Sequence, residues 1–221
     1  MISLEMKIIR VSSKNLKRVI KKAVELIRRG GVIVFPTDTV YGLIADAKNE
    51  KAVQKVFRIK KRFPKKPIPV FVKDLKMTRS LAEINKTQEK FLKKIWPGKV
   101  TAILKIKPKA KKIFPKGIVN SKNKIGLRTP NYKFINQLLK ILNFPLTGTS
   151  ANISGKKEST EIKEVLDQFE GRKFQPDLIL DFGDLKPSLT STAIDLTNFE
   201  ILREGAISKN EIYEILAKIK I

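Results

Sequence analysis

Cysteine and histidine are both absent from the 221-residue chain. Without cysteine there is no disulfide framework, no thiolate nucleophile and no zinc–thiolate site. Without histidine there is no imidazole base, which excludes Ser-His catalysis and zincin-like metal sites. Long apolar runs are missing too. Nothing approaches the roughly 18 residues needed to span a bilayer, and the opening MISLEMKIIR lacks a signal-peptide core. The expected location is therefore cytoplasmic, with no membrane partner. Neither G-x-x-x-x-G-K-[ST] nor G-x-G-x-x-G occurs, so a bound nucleotide would be held without a P-loop or a Rossmann turn.

What remains for chemistry is Lys, Arg, carboxylates, hydroxyls, backbone amides and a hard cation such as Mg2+. That set suits phosphate chemistry, where positioning and charge neutralisation carry most of the catalysis. Lys and Arg number 47 against 21 Asp and Glu, a formal charge of +26, which favours polyanionic partners such as nucleotides or RNA. Only 10 of the basic residues are Arg. Part of the Lys excess is explained equally well by solubility or genome composition, so the Arg residues, as the better phosphate forks, carry more information. At 42% hydrophobic the chain is a folded protein with a real core.

Periodicity gives an interleaved order of strands and helices, hence an α/β fold with helices packed on a mixed parallel/antiparallel sheet. KIIRV opens as a strand. SSKNLKRVIKKAVELIRRGG follows as an amphipathic helix with Leu16, Ile20, Ala23 or Val24, and Ile27 on one face, Ser13 as candidate N-cap and Gly30-Gly31 as its end. VIVFP, IPVFV, VTAILKI, KIGLR, FPLTGTS, DLILDFG, STAIDLT and EILRE are expected strands. EKAVQKVFRIKKR, NKTQEKFLKKIWPG, YKFINQLLKIL and KNEIYEILAKIKI are expected helices, with a further one beginning near Glu161. No boundary divides the chain, so residues 1–221 are expected to form a single domain without a second C-terminal one.

Four clusters are chemically suggestive. FPTDTVYGL, Phe35 to Leu43, follows a buried strand, where open α/β sheets bind ligands; its alternative is a capped turn with Asp38 as an Asx-turn residue. RIKKRFPKKP, Arg58 to Pro67, presents Lys60, Arg62 and Lys66 on a proline-stiffened backbone that suits a triphosphate, or else is a solvated basic face. In KNKIGLRTP, Arg128 leaves a strand end beside Thr129, suited either to a bidentate carboxylate clamp or to an ion pair across the sheet edge. LTGTSANISGKKEST, Leu146 to Thr160, places Ser150 and Asn152 two apart and so on one side of an extended segment. Several short donors between two glycines suit an oxyanion grip; the alternative is a turn that caps the next helix.

In order and together, these clusters resemble the YrdC-like family of threonylcarbamoyl-AMP synthases. The shared pattern is PTDTVYGL at 36–43, Lys-x-Arg at 60–62 and Trp-Pro-Gly at 96–98. It continues with Gly-Leu-Arg at 126–128, TSANISG at 149–155, STAIDLT at 191–197 and ILREGAI at 201–207, covering essentially residues 5 to 217. The resemblance implies a twisted mixed sheet with a basic concave groove. It implies condensation of L-threonine, bicarbonate and ATP to threonylcarbamoyl-AMP with release of pyrophosphate. Mg2+ would be held by the ATP phosphates and by no protein side chain. A separate threonylcarbamoyl transferase complex would then act on tRNA. Carried over position by position, Lys60, Arg62, Lys66, Lys124, Ser150, Asn152 and Arg203 would bind ATP, with Lys60, Arg62, Ser150 and Asn152 the catalytic set. Thr37, Thr39, Arg128 and Ser191 would hold L-threonine. Two positions depart from the family: Phe63 stands where Pro is common, and Phe71 where His is common.

Two other functions compete. One is an RNA-binding or ribosome-associated module that takes double-stranded RNA or tRNA on the basic concave face without catalysis; net charge favours it, and the Thr39, Arg128, Ser191 set and the scarcity of aromatics, with one Trp and three Tyr, disfavour it. The other is a related carbamoyl-adenylate enzyme with a different small-molecule substrate.

Overall fold

A computed structural model describes residues 6–63 and 65–219. The first half runs β1 (Ile8–Arg10), α1 (Leu16–Arg28), β2 (Ile33–Phe35), β3 (Gly42–Ile44), α2 (Glu50–Lys60), β4 (Val70–Phe71), α3 (Leu75–Leu81), α4 (Lys86–Ile95), β5 (Val100–Lys105) and α5 (Pro108–Lys111). The second runs β6 (Lys124–Arg128), α6 (Lys133–Leu142), β7 (Leu146–Thr147), β8 (Thr149–Ser150), α7 (Ile162–Phe169), β9 (Leu178–Asp181), β10 (Thr192–Asp195), β11 (Glu200–Arg203) and α8 (Lys209–Lys218). Pro64 of the basic loop and residues 220–221 of the expected closing helix lie outside the described residues.

The α/β class and the mixed pairing hold, but the strands divide into two sheets. One has the order β1-β9-β2-β3-β8, parallel across β1, β9 and β2 and antiparallel beyond. The other has the order β11-β10-β5-β6-β4-β7, parallel at β10/β5 and β6/β4 and antiparallel elsewhere. Side chains of β2 alternate between two buried clusters. Ile33 and Phe35 pack with α1 and α6, and Val34 packs on the opposite side with Leu43, Val53 and Ile179. A strand covered on both faces explains why VIVF is apolar throughout rather than alternating.

The helices follow their apolar stripes. On α1, Val19, Ile20, Ala23, Val24 and Ile27 are buried, each such burial stabilising by about 1.5–3 kcal/mol for a large aliphatic side chain. Asn15, not Ser13, is the N-cap, and its Oδ1 accepts the Ser12 amide at 2.9 Å rather than a helical one. The strand β3 and the short helix α3 were not marked in the sequence; both are too short for periodicity to reveal them. No helix among the described residues is long and apolar enough to cross a membrane.

Residues 146–150 pass from one sheet to the other. Leu146 and Thr147 pair with β4, whereas Thr149 and Ser150 pair with β3. Thr147 pins the passage: its amide donates to Ala45 O at 2.9 Å, and its hydroxyl accepts the Ala45 amide and donates to Leu43 O. At the crossing, Gly148 is a steric requirement, because a Cβ there would lie 2.7 Å from the buried Phe71 ring. Gly148→Ala should therefore destabilise the protein by about 1–3 kcal/mol, the usual cost of overpacking. Urea denaturation checks this, and Phe71→Leu in the same chain should restore part of the loss; an unaffected midpoint in Gly148→Ala would refute the steric account.

Candidate functional site

Loops from both sheets meet at Arg128, the last residue of β6. Its side chain is almost wholly buried. Nε donates to Gly98 O at 2.8 Å, one terminal nitrogen to Thr39 Oγ1 at 3.2 Å, and the other to Asp38 Oδ1 at 2.6 Å. The second Asp38 oxygen accepts the Asn131 amide at 2.9 Å, which ties the loop after β2 to the turn after β6. Burial pushes the Arg128 pKa down, the Asp38 carboxylate opposes that shift, and the charge of Arg203 adds to it. Of the five N–H groups of a guanidinium, these contacts use three. The neighbouring Thr129 hydroxyl is buried without a hydrogen-bond partner among the described residues.

Each anchor of Arg128 has a local cause. The cis Trp96–Pro97 bond opens a turn in which Gly98 donates to Thr129 O at 2.9 Å. A Cβ on Gly98 would stand 2.4 Å from Ile95 O, so only glycine turns this carbonyl toward Arg128. In the PTDT loop, Thr37 donates from Oγ1 to Val40 O at 2.7 Å and accepts the Thr39 amide at 3.1 Å, which holds Thr39 against Arg128. Tyr41 is anchored below, donating to Gly183 O at 2.7 Å, and burial raises its pKa. On the other flank, Ser191 shares a 2.8 Å hydroxyl contact with Thr101, and Arg203 donates to Ser191 O at 2.7 Å.

Lys60 ends α2 and is 1% exposed. Its ammonium donates to Ser150 O at 2.5 Å, Asn152 O at 2.9 Å and Asn152 Oδ1 at 2.7 Å, while Lys60 O accepts the Ser154 amide at 2.8 Å. Ser150 Oγ donates to the same Asn152 Oδ1, and the Asn152 amide reaches Lys156 O at 2.6 Å. Lys60 thus organises the SANISG loop. Burial first and the Arg62 charge second bring its pKa down to about 7, with Glu158 opposing. The left-handed Lys61, at φ 49°, turns the chain so that Arg62 can close its own loop, Nε to Lys66 O at 2.8 Å and a terminal nitrogen to Pro67 O at 3.0 Å. Burial and Arg203 lower the Arg62 pKa as well.

Lys60, Arg62, Arg203 and Arg128 therefore form a chain of cations, each within electrostatic reach of the next. Of these four, Arg128 is ion-paired, with Asp38, and Glu158 opposes the depression of the Lys60 pKa. Such an excess of one sign is what an anionic ligand would relieve. Among the expected residues, Thr37, Thr39 and Arg128 are joined by hydrogen bonds on one flank, Lys60, Ser150 and Asn152 on the other, with Arg62 beside Lys60 in charge; Arg203, bonded to Ser191, lies within electrostatic reach of both Arg62 and Arg128, and Lys66 is exposed on the loop after α2.

Lys124 does not join them. It starts the strand that Arg128 ends, so the two are separated by roughly 13 Å along β6. Its ammonium is committed to Asp195 and Thr197, both at 2.6 Å. Asp38 is the residue the sequence left ambiguous. It makes the buried pair with Arg128 rather than only a turn, and nothing local marks that, since the partners lie 90 positions apart. Gly98 is the other addition, visible beforehand only as the end of Trp-Pro-Gly.

Residues 25–205 match the Sua5/YciO/YrdC family model, described as "Telomere recombination". The chain belongs to this family. It is 33% identical over 205 residues to the threonylcarbamoyl-AMP synthase of Pyrococcus abyssi, covering 91% of this chain and 58% of that one. It is 37% identical over 203 residues to the putative threonylcarbamoyl-AMP synthase of Methanocaldococcus jannaschii, covering 91% and 92%. Among solved structures, P. abyssi Sua5 complexed with L-threonine superposes with a TM-score of 0.83 at 31% identity, over 95% of this chain and 60% of that one. Escherichia coli YciO gives 0.79 at 27% identity, over 95% and 98%. The chain thus spans about three fifths of the P. abyssi protein and nearly the whole of the M. jannaschii and E. coli ones.

Two outcomes follow for the family site. Asp38→Ala leaves a buried guanidinium without its carboxylate and should cost about 3–5 kcal/mol of stability, read from urea denaturation; a loss below 1 kcal/mol would show that water reaches Arg128. The second concerns Lys60, whose charged neighbours are Arg62 and Glu158. An anion beside it raises its pKa above 7, so at pH 8 inorganic triphosphate should bind with uptake of up to one proton. Calorimetry in buffers of different ionisation enthalpy measures this. The uptake should vanish in Lys60→Met; uptake unchanged in that variant would place the titrating group elsewhere.

Proposed function

We propose that this chain is an L-threonylcarbamoyladenylate synthase, condensing L-threonine, bicarbonate and ATP to threonylcarbamoyl-AMP with release of pyrophosphate and water. The observation that carries the reading is the run of four cations from Lys60 to Arg128, joining a phosphate-suited flank to a flank suited to an amino acid. The likeness to a Sua5 structure complexed with L-threonine supports it.

In this reading Arg62, Lys66 and Arg203 face the ATP phosphates. Lys60 acts through its charge and through its hold on Ser150 and Asn152, whose loop lies over the nucleotide. Thr37, Thr39, Arg128 and Ser191 surround L-threonine, and Arg128 offers its two remaining N–H groups to the carboxylate. The threonine amine attacks the carbon of bicarbonate, water leaves, and the resulting carbamate oxygen attacks the α-phosphorus as pyrophosphate departs. No step calls for a protein nucleophile, which suits a chain without His or Cys. The residues supply proximity and fixed positive charge where negative charge builds on the phosphates.

The donor set here is cationic and hydroxylic, and no group of three carboxylates capable of holding a metal occurs among the described residues. The site does not fit a resident divalent ion, so Mg2+ is proposed to arrive on the ATP phosphates as part of the substrate. The product's reactive acyl phosphate calls for a separate transferase complex acting on tRNA, and the working compartment in this reading is the cytoplasm.

Pyrophosphate release from ATP with bicarbonate and Mg2+, compared across L-threonine, L-serine and no amino acid, tests the reading. Release should require L-threonine, and Lys60→Ala or Arg62→Ala should each lower it by about 10²-fold or more. Release driven by another amino acid would move the substrate while keeping the chemistry. No release with any of them would overturn the synthase, and salt-sensitive RNA binding in its place would favour a binding module, the reading that the net charge of +26 supports.

A further inference from the structure

The hydrogen bonds of Arg128 all lie at the edge of its guanidinium. Gly98 O, Thr39 Oγ1 and Asp38 Oδ1 each take one N–H. Bonds of this kind fix a planar cation within its own plane, but they tolerate a tilt out of that plane before they weaken. A different contact meets the group at its face. The Arg128 guanidinium carbon stands over the Phe71 ring, 5.8 Å from the ring centroid. Phe71 and Arg128 are each 3% exposed. The contact is therefore desolvated, the setting in which an aromatic face holds a cation most strongly.

The ring is itself pinned. Phe71 is the second residue of β4, which pairs with β6 on one side and β7 on the other, so Phe71 stands beside Arg128 in one register and beside Leu146 in the other. Two residues past Leu146, Gly148 leaves open the space that the ring fills; a Cβ there would lie 2.7 Å from two ring carbons. Phe71 also belongs to the buried cluster that holds Ile33, Phe35 and Leu146. A ring confined by two neighbouring strands and a core cluster makes a rigid support for the charge above it.

We infer that Phe71 is a positioning residue of the amino-acid flank: it braces the Arg128 guanidinium against tilt and so aims its two free N–H groups at the carboxylate of the incoming amino acid. The inference rests on the reading of Arg128 as a carboxylate clamp given above. A bidentate pair needs both N–H groups aligned with two oxygens at once, so a tilt costs it more than it costs three bonds to separate acceptors. The ring also keeps water from one face of the cation, which strengthens its attraction for a carboxylate. An aliphatic side chain in the same place would fill space without presenting a negative face.

The test compares three full-length proteins: the parent, Phe71→Leu, and Phe71→Leu/Gly148→Ala, in which the added methyl takes up space that the ring vacates. Calorimetry measures the binding of L-threonine and, separately, of inorganic triphosphate. Phe71→Leu should raise the Kd for L-threonine about three- to thirtyfold, the span of a cation–π contact expressed as affinity. Its Kd for triphosphate should match that of the parent. The double variant should regain thermal stability lost in Phe71→Leu, while its Kd for L-threonine stays raised. Solvent exchange of the Arg128 Nε–H, followed by NMR of arginine-labelled protein without any ligand, should be faster in both variants than in the parent. An L-threonine Kd unchanged in Phe71→Leu, or recovered together with stability in the double variant, would reduce the ring to core packing and overturn the inference. Equal loss of triphosphate affinity, or an unaltered Nε–H exchange rate, would overturn it too. In each of those cases the parent still binds L-threonine and the clamp stands. A parent that binds no L-threonine would remove the clamp, and the brace with it.

Discussion

A guanidinium removed from water must be met by acceptors or it will not stay buried, and Arg128 meets them on two separate segments. Gly98 comes from the turn before β5, Thr39 and Asp38 from the loop after β2, and Asp38 in turn holds the backbone at Asn131. Because β2 and β5 belong to different sheets, satisfying this one side chain also fixes how the sheets' loops face each other. Lys60 does the same on the other flank, binding the SANISG loop through three hydrogen bonds and through its own carbonyl. The loops carrying the site residues are thus held by the buried charges they surround.

That arrangement keeps unfavourable electrostatics in the folded state. Lys60, Arg62, Arg203 and Arg128 each depress a neighbour's proton affinity or have their own depressed. A protein selected for stability alone would intersperse carboxylates here, as it does on the surface, where Arg79 and Lys93 share Glu89. Strain of this kind is expected where a ligand completes the charge balance. It also accounts for the prominence of arginine at the site in a chain whose positive charge is mostly lysine, since a guanidinium tolerates burial beside like charges with less loss of its proton.

Most of the helices were legible because their apolar residues recur at helical spacing, as Val19, Ile20, Ala23 and Ile27 do on α1. The division into two sheets was not. Strand pairing is a long-range matter, and β9 joins β1 and β2 from about 145 to 170 positions away along the chain. The residue types of the site were legible, since PTDT, Lys-x-Arg and Ser-x-Asn all reach one region. Their partners were not: Lys60 spends its donors on Ser150 and Asn152, Asp38 finds Arg128, and Lys124 sits at the far end of its strand. A sequence shows which side chains have chemistry to offer, whereas burial decides which of them bond to one another first.

The crossing at residues 146–150 has one more consequence. Two residues pair with one sheet, a glycine follows, and two residues pair with the other. The side chains of an extended segment alternate, so a shift of one position there exchanges inside for outside. Ser150 and Asn152 are therefore indexed to the sheet that holds β3 as a tooth is to a rack. A loop elsewhere on the surface can gain or lose a residue and keep its neighbours in place; here a single insertion would turn the edge of the loop that carries Ser150 and Asn152 toward the core. Length at this point is as tightly specified as the residues themselves.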